Sequence, residues 1–182
     1  MATVLGIDTG FAACGYSRIE LGLDSEEVLA LGVVRTAKSP NKRGFKAADD
    51  NIRRGREIAQ VLIPVGEGVD ALCVEAPSLP RNASTSFKLG ICYGILCCLT
   101  EVLAVPVVMV SPQELKKGVC GNPQASKDDV AQALDQRFGR DFGAELIQGG
   151  IPKGAHEHAY DSIGAVISSL DAEIIRMVRR MP

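Results

Sequence analysis

The segment Val4-Leu5-Gly6-Ile7-Asp8-Thr9-Gly10 decides how this chain folds. Four apolar residues end in a carboxylate, and Thr9-Gly10 turn the backbone at once. Burying an ionised carboxylate without a partner costs several kcal/mol. Asp8 must therefore face solvent at a strand tip or meet a cation there. Beyond the turn, Cys14 to Glu20 reads as a second strand and Val28 to Thr36 as a third. The cluster Gly22-Leu23-Asp24-Ser25 supplies the turn between them, so the three form an antiparallel meander.

Later segments change the pattern. Gly44 to Ile63 reads as a helix, with Phe45, Ala48, Ile52, Ile58 and Leu62 as its buried face and Pro64 as its stop. Val69 to Glu75 is a short apolar strand that again ends in a carboxylate. Ser84 to Ala104 is a helix apolar nearly all round, with Gly90 and Gly94 four apart, which suits a core helix or a dimer interface. Val105 to Val110 is a buried strand. Ser111-Pro112-Gln113-Glu114 then caps a short helix ending near Gly118. A helix from Ser126 to about Phe138, an irregular Gly-rich stretch from Gly139 to Gly154, and a last helix from near His156 to Arg180 complete the reading. Helices between the later strands predict an α/β fold: a mixed five-stranded sheet, three antiparallel strands then parallel ones, flanked by helices. Neither a repeat nor a long linker divides residues 1–182, which read as a single domain.

Composition narrows the class. The 182 residues are 46% hydrophobic and 23% charged, as in a soluble globular protein. The apolar stretch from Ile91 to Val110 is broken by Glu101 and Pro106, so no membrane association is expected. The six cysteines make no CxxC pair and mostly sit in apolar runs. That argues against structural zinc and for a reducing, cytoplasmic compartment. A net charge of −2 gives no overall pull toward nucleic acid. A local stripe does: Lys38, Lys42, Arg43, Lys46, Arg53, Arg54 and Arg56 stand against Asp49 and Asp50. Lys42, Arg43, Lys46 and Arg53 are candidate phosphate contacts on that charge alone.

Asp8 and Glu75 would emerge together if their strands are parallel neighbours, at the edge where open α/β sheets place their sites. His158 and Asp161, at i and i+3 near a helix start, offer a third group. Carboxylates gathered from distant segments repel one another and persist when cations neutralise them. Oxygen-rich sites select Mg²⁺ or Mn²⁺, and an imidazole makes Mn²⁺ easier to accommodate.

Ile7-Asp8-Thr9-Gly10 with Gly15-Tyr16, then Val74-Glu75, then His158-Ala159-Tyr160-Asp161-Ser162-Ile163, resembles the RuvC-type Holliday junction resolvases of the RNase H-like superfamily. The likeness spans nearly the whole chain. It implies an RNase H-like nuclease domain that resolves four-way DNA junctions by paired symmetric nicks. It implies that Asp8, Glu75, His158 and Asp161 hold two Mg²⁺ ions, with Mn²⁺ able to substitute. Lys116 and Lys127 fall where the family places basic residues near the scissile phosphate, with Lys117 as a neighbouring candidate in case the register slips. Lys88-Leu89-Gly90 with Gly94, within the helix around Ser84–Ala104, resembles the family's dimer helix, so a homodimer is implied. A branch-migration helicase is an implied partner, and Lys88 is an implied DNA contact.

Two features depart from the family pattern. Many members carry an aromatic residue shortly after the catalytic Glu, whereas Ala76-Pro77-Ser78-Leu79-Pro80-Arg81 has none. Leu79 is the candidate wedge between bases there, and Arg81 the candidate stacking or phosphate group. The second is the net acidity, which calls for a restricted basic face and strong salt dependence. Other readings exist. The same metal chemistry serves nucleases of flaps, forks or RNA–DNA hybrids, and a non-catalytic relative would be a binding scaffold. Gly6-Ile7-Asp8-Thr9-Gly10 also resembles the first phosphate loop of actin-like ATPases, but those need a second domain and a second glycine-rich loop.

Overall fold

The computed structural model describes residues 1–40, 46–77 and 82–180. Its centre is a five-stranded sheet in the order β3-β2-β1-β4-β5. The strands are β1 (Ala2–Asp8), β2 (Ala13–Leu21), β3 (Glu26–Arg35), β4 (Ala71–Glu75) and β5 (Val107–Val110). β1, β2 and β3 pair antiparallel, whereas β4 pairs parallel with both β1 and β5. This is the predicted mixed sheet. The helices are α1 (Ala47–Gly66), α2 (Ala83–Leu103), α3 (Pro112–Cys120), α4 (Lys127–Phe138), α5 (Phe142–Gln148), α6 (His156–Ser168) and α7 (Glu173–Val178).

Alternation along β1 divides the core in two. Leu5 and Ile7, with Leu72 and Val74 of β4, face α1 and α2. Val4, with Ala71 and Cys73, faces α6 and its neighbours. Asp8 and Glu75 share the parity of this second set, so their side chains leave the sheet on the α6 side.

Several helices differ from their sequence expectation. α1 runs two residues past Pro64, because a proline in the last turn forfeits a single helical hydrogen bond there. Its buried residues are Asp50, Arg54, Gly55, Ile58, Leu62 and Gly66, while Ile52 is 64% exposed. Polar residues win the upper turns because backbone loops beside them need partners. Asp50 accepts from the Ser39 amide, and Arg54 donates to Thr36 Oγ1 and to the Phe11 carbonyl. Phe45 lies outside the described residues.

α2 is not a central core helix. It buries only Cys92, Leu96 and Leu99, and leaves Phe87, Tyr93, Val102, Cys97 and Cys98 exposed. With a mean hydropathy of 1.5 it is long and apolar enough to cross a membrane by length and composition, yet here it packs on α1. The Gly-rich stretch contains α5, capped by Asp141, whose carboxylate accepts from the Ala144 amide. The last helix breaks after Ser168. Ser168 and Ser169 hydroxyls donate back to the carbonyls of Gly164 and Ala165, a bonding pattern that weakens continuation. Capping boxes at Ser111 and Ser126 start α3 and α4.

Candidate active site

Asp8 and Glu75 are direct partners in the parallel β1–β4 ladder. Neighbouring strands lie about 4.8 Å apart, so two carboxylates at that register stand side by side. α6 supplies the third. Glycines let it come close enough: a Cβ on Gly15 would stand 1.8 Å from the His158 carbonyl oxygen, and one on Gly6 would stand 2.1 Å from that of Ser162. Gly15 is also the cross-strand partner of Asp8 in β2. The missing side chain opposite Asp8 is therefore the seat for the first turn of α6.

The result is a carboxylate triangle. Asp8, Glu75 and Asp161 each offer an oxygen, all within 4.8 Å of one another. Burial, then the charges of Asp161 and Asp8, push the Glu75 carboxyl up to about 8. Burial and the Asp8 charge push Asp161 up to about 6, against the pull of Lys127, His158 and Lys116. Such a site is short of positive charge. All three donors are oxygens, the preference of hard divalent cations, so the residues present fit Mg²⁺ or Mn²⁺.

His158 stands beside the triangle. Its Nδ1 lies 2.6 Å from Asp8 Oδ2, and this hydrogen bond raises the imidazole pKa despite desolvation. Lys127, the first residue of α4, ion-pairs with Glu157. Lys116 follows the buried Leu115 on α3, and Lys117 is exposed. Lys116 and Lys127 both lie near enough to Asp161 to pull its carboxyl down. Behind the triangle, the buried Arg54 guanidinium lies 4.2 Å from the Phe11 ring centroid, pinning the loop that follows Asp8.

The remaining candidates are spread out. Lys88 lies half-buried in the second turn of α2, and Lys46 is exposed at the start of α1. Arg53 is already engaged by Asp50, Glu57 and the Ala37 carbonyl. Lys42, Arg43, Leu79 and Arg81 lie outside the described residues. The sequence places Gly6 and Gly15 in its motifs without assigning them a part in the site, and it gives Glu157 none. The glycines carry no chemistry, and Glu157 was passed over within His156-Glu157-His158 although it precedes a candidate ligand.

Comparison with known proteins gives a concordant picture. Residues 4–137 match the family model of the crossover junction endodeoxyribonuclease RuvC. RuvC from Porphyromonas gingivalis is 28% identical over 136 residues, covering 74% of this chain and 67% of that protein. RuvC from Salinibacter ruber is 29% identical over 147 residues, covering 76% and 77%. A solved structure of Thermus thermophilus RuvC in complex with a Holliday junction substrate superposes with a TM-score of 0.70 at 22% identity, over 98% of both chains. That likeness concerns the RNase H-like fold.

Proposed function

The chain belongs to the family of the crossover junction endodeoxyribonuclease RuvC, and from that membership we propose how its site cuts DNA. The protein is a Holliday junction resolvase, a metal-dependent endonuclease of four-way DNA junctions. The observation that carries the chemistry is the convergence of Asp8, Glu75 and Asp161 from β1, β4 and α6 within 4.8 Å.

Asp8, Glu75 and Asp161 hold the divalent metal, Mg²⁺ by preference with Mn²⁺ able to replace it, and His158 completes the set for a second ion. When bound, the cations activate water and neutralise the leaving oxygen of a phosphodiester. Each chain group then has its own part. Glu75 and Asp161, whose carboxyls are raised first by burial and then by their acidic neighbours, give up protons as positive charge enters. His158 keeps the Asp8 carboxylate in one orientation. Lys116 and Lys127 offset the negative charge that grows on the scissile phosphate. Lys117, Lys88, Lys46, Lys42, Arg43, Arg53 and Arg81 serve as outlying DNA contacts. Of these, Arg53 must first exchange its present partners.

A homodimer through α2 presents two such sites to one junction and makes paired symmetric nicks. Support comes from the exposed apolar face of α2, where a Cβ on Gly90 or Gly94 would meet nothing within 4 Å. Residues 1–182 act as one nuclease domain in the cytoplasm, where the free cysteines stay reduced. A branch-migration helicase is the class of partner that would bring junctions to it.

The test is cleavage of a synthetic four-way junction beside flap, fork, linear-duplex and RNA–DNA controls, with Mg²⁺, with Mn²⁺ and with EDTA. Preferential cutting of the junction that stops in EDTA is expected. Asp8→Asn should abolish cutting and leave junction binding largely intact. Retained turnover in that variant removes Asp8 from the ligand set.

A further inference from the structure

Glu157 is a carboxylate outside the triangle that nonetheless touches it at two removes. One oxygen pairs with the Lys127 ammonium from α4. The other, Oε1, stands 3.9 Å from His158 Nε2, while His158 Nδ1 reaches Asp8. A line of polar contacts therefore runs from Lys127 through Glu157 and His158 to Asp8. Lys127 also borders a cavity of about 370 Å³ shared with Glu157, Lys153, Gly143 and Tyr160. The lysine thus has a carboxylate partner and remains open to solvent.

The Lys127 side chain is 63% exposed and that of Glu157 35%. An ion pair so exposed does little for the stability of the fold. Its consequence lies in where the ammonium stands. A lysine side chain is a flexible four-carbon stem with three donors, and without a tether it samples many positions. One donor held by Glu157 leaves two for another acceptor.

We propose that Glu157 is a positioning residue for strand cleavage, acting through Lys127. This rests on the junction-nuclease reading above. Glu157 fixes the ammonium where it can donate to a phosphate oxygen of the substrate, and it offsets part of that cation's charge before DNA arrives. The two effects have opposite signs. Offsetting the charge weakens binding, whereas fixing the position speeds the chemical step. Because the pair is weak, phosphate can share the ammonium without a large cost.

The experiment compares wild type, Glu157→Gln, Lys127→Ala and the double variant on a labelled four-way junction. Binding is measured in EDTA across a salt series, and cleavage under single-turnover conditions in Mg²⁺. Glu157→Gln should bind about three-fold tighter, the strength typical of an exposed ion pair. Its slope of log K against log salt should steepen by about 0.9, the release of one further counterion. Its cleavage step should be about five-fold slower, a modest loss of orientation. Both changes should disappear in the Lys127→Ala background. Tighter binding with slower cutting is a signature that general loosening of the fold does not produce. Unchanged binding and rate, or changes that persist without Lys127, would overturn the assignment of Glu157. A wild-type protein that binds but never cuts junctions would instead sink the nuclease reading, and the two failures are distinguishable.

Discussion

Gly15→Ala tests whether the empty space opposite Asp8 sets the geometry of the site. The added methyl would stand 1.8 Å from the His158 carbonyl oxygen and 2.9 Å from the Ala159 amide nitrogen, both backbone atoms of α6. Cβ contacts under 3.0 Å essentially do not occur, so α6 must retreat by roughly 3.0 − 1.8, about 1.2 Å. His158 and Asp161 travel with it, while Asp8 and Glu75 stay in the sheet. Overpacking of this kind costs about 1–3 kcal/mol of stability. A displacement near 1 Å at a catalytic centre costs about 100-fold in rate. Single-turnover cleavage of a four-way junction should therefore fall about 100-fold, and the Mg²⁺ concentration for half-maximal rate should rise. Urea unfolding of the same variant should show a protein that is weakened but folded. A folded Gly15→Ala protein that cuts at the wild-type rate with the wild-type Mg²⁺ response would refute the reasoning.

Glu75→Gln should stabilise the metal-free protein at neutral pH. A carboxyl raised from 4.5 to about 8 favours the folded state below pH 4.5, and that advantage is lost as pH climbs toward 8. The rise corresponds to roughly 3 kcal/mol at pH 7, or about 1–2 kcal/mol after allowance for partial solvent screening. Urea unfolding in EDTA should show the two proteins converging near pH 4 and the variant ahead at pH 7; a wild type that gains on the variant with rising pH contradicts this. Cys97→Glu, on the exposed face of α2, should yield a folded monomer by sedimentation velocity; an unchanged dimer would move the interface elsewhere. Lys116→Ala should slow cleavage more than it weakens junction binding, and the reverse outcome would make Lys116 a binding contact alone.

The sheet was legible because its signals are local. Apolar runs that end in Asp8 and Glu75 would share an edge if parallel neighbours, and the ladder pairs them so. The Ser111 start of α3 was equally plain, since a capping box is written in four consecutive residues. The face of α1 was not. Its periodicity points Ile52 inward, but Arg54 takes the buried place because Phe11 and Thr36 need a donor there. Only tertiary structure reveals that demand. α5 hid in a Gly-rich stretch, and the break after Ser168 depends on hydroxyls bonding back to the helix, a choice that composition leaves open. At the site, residue types announced the carboxylates. Gly6 and Gly15 stood in the quoted motifs, but their packing role was silent, for a close contact between backbones leaves no mark on the side chains involved.

The pairing of Asp8 with Glu75, completed by Asp161, has a consequence during protein synthesis. These residues emerge from the ribosome in that order, far apart in time. A nascent chain that has formed β1 and β4 but not α6 carries two mutually repelling carboxylates on a bare sheet face. It has no His158 to orient Asp8 and no third oxygen ligand. With the proposed ligand set, cutting power arrives with the docking of α6 and not gradually, so a chain that lacks α6 should be inactive.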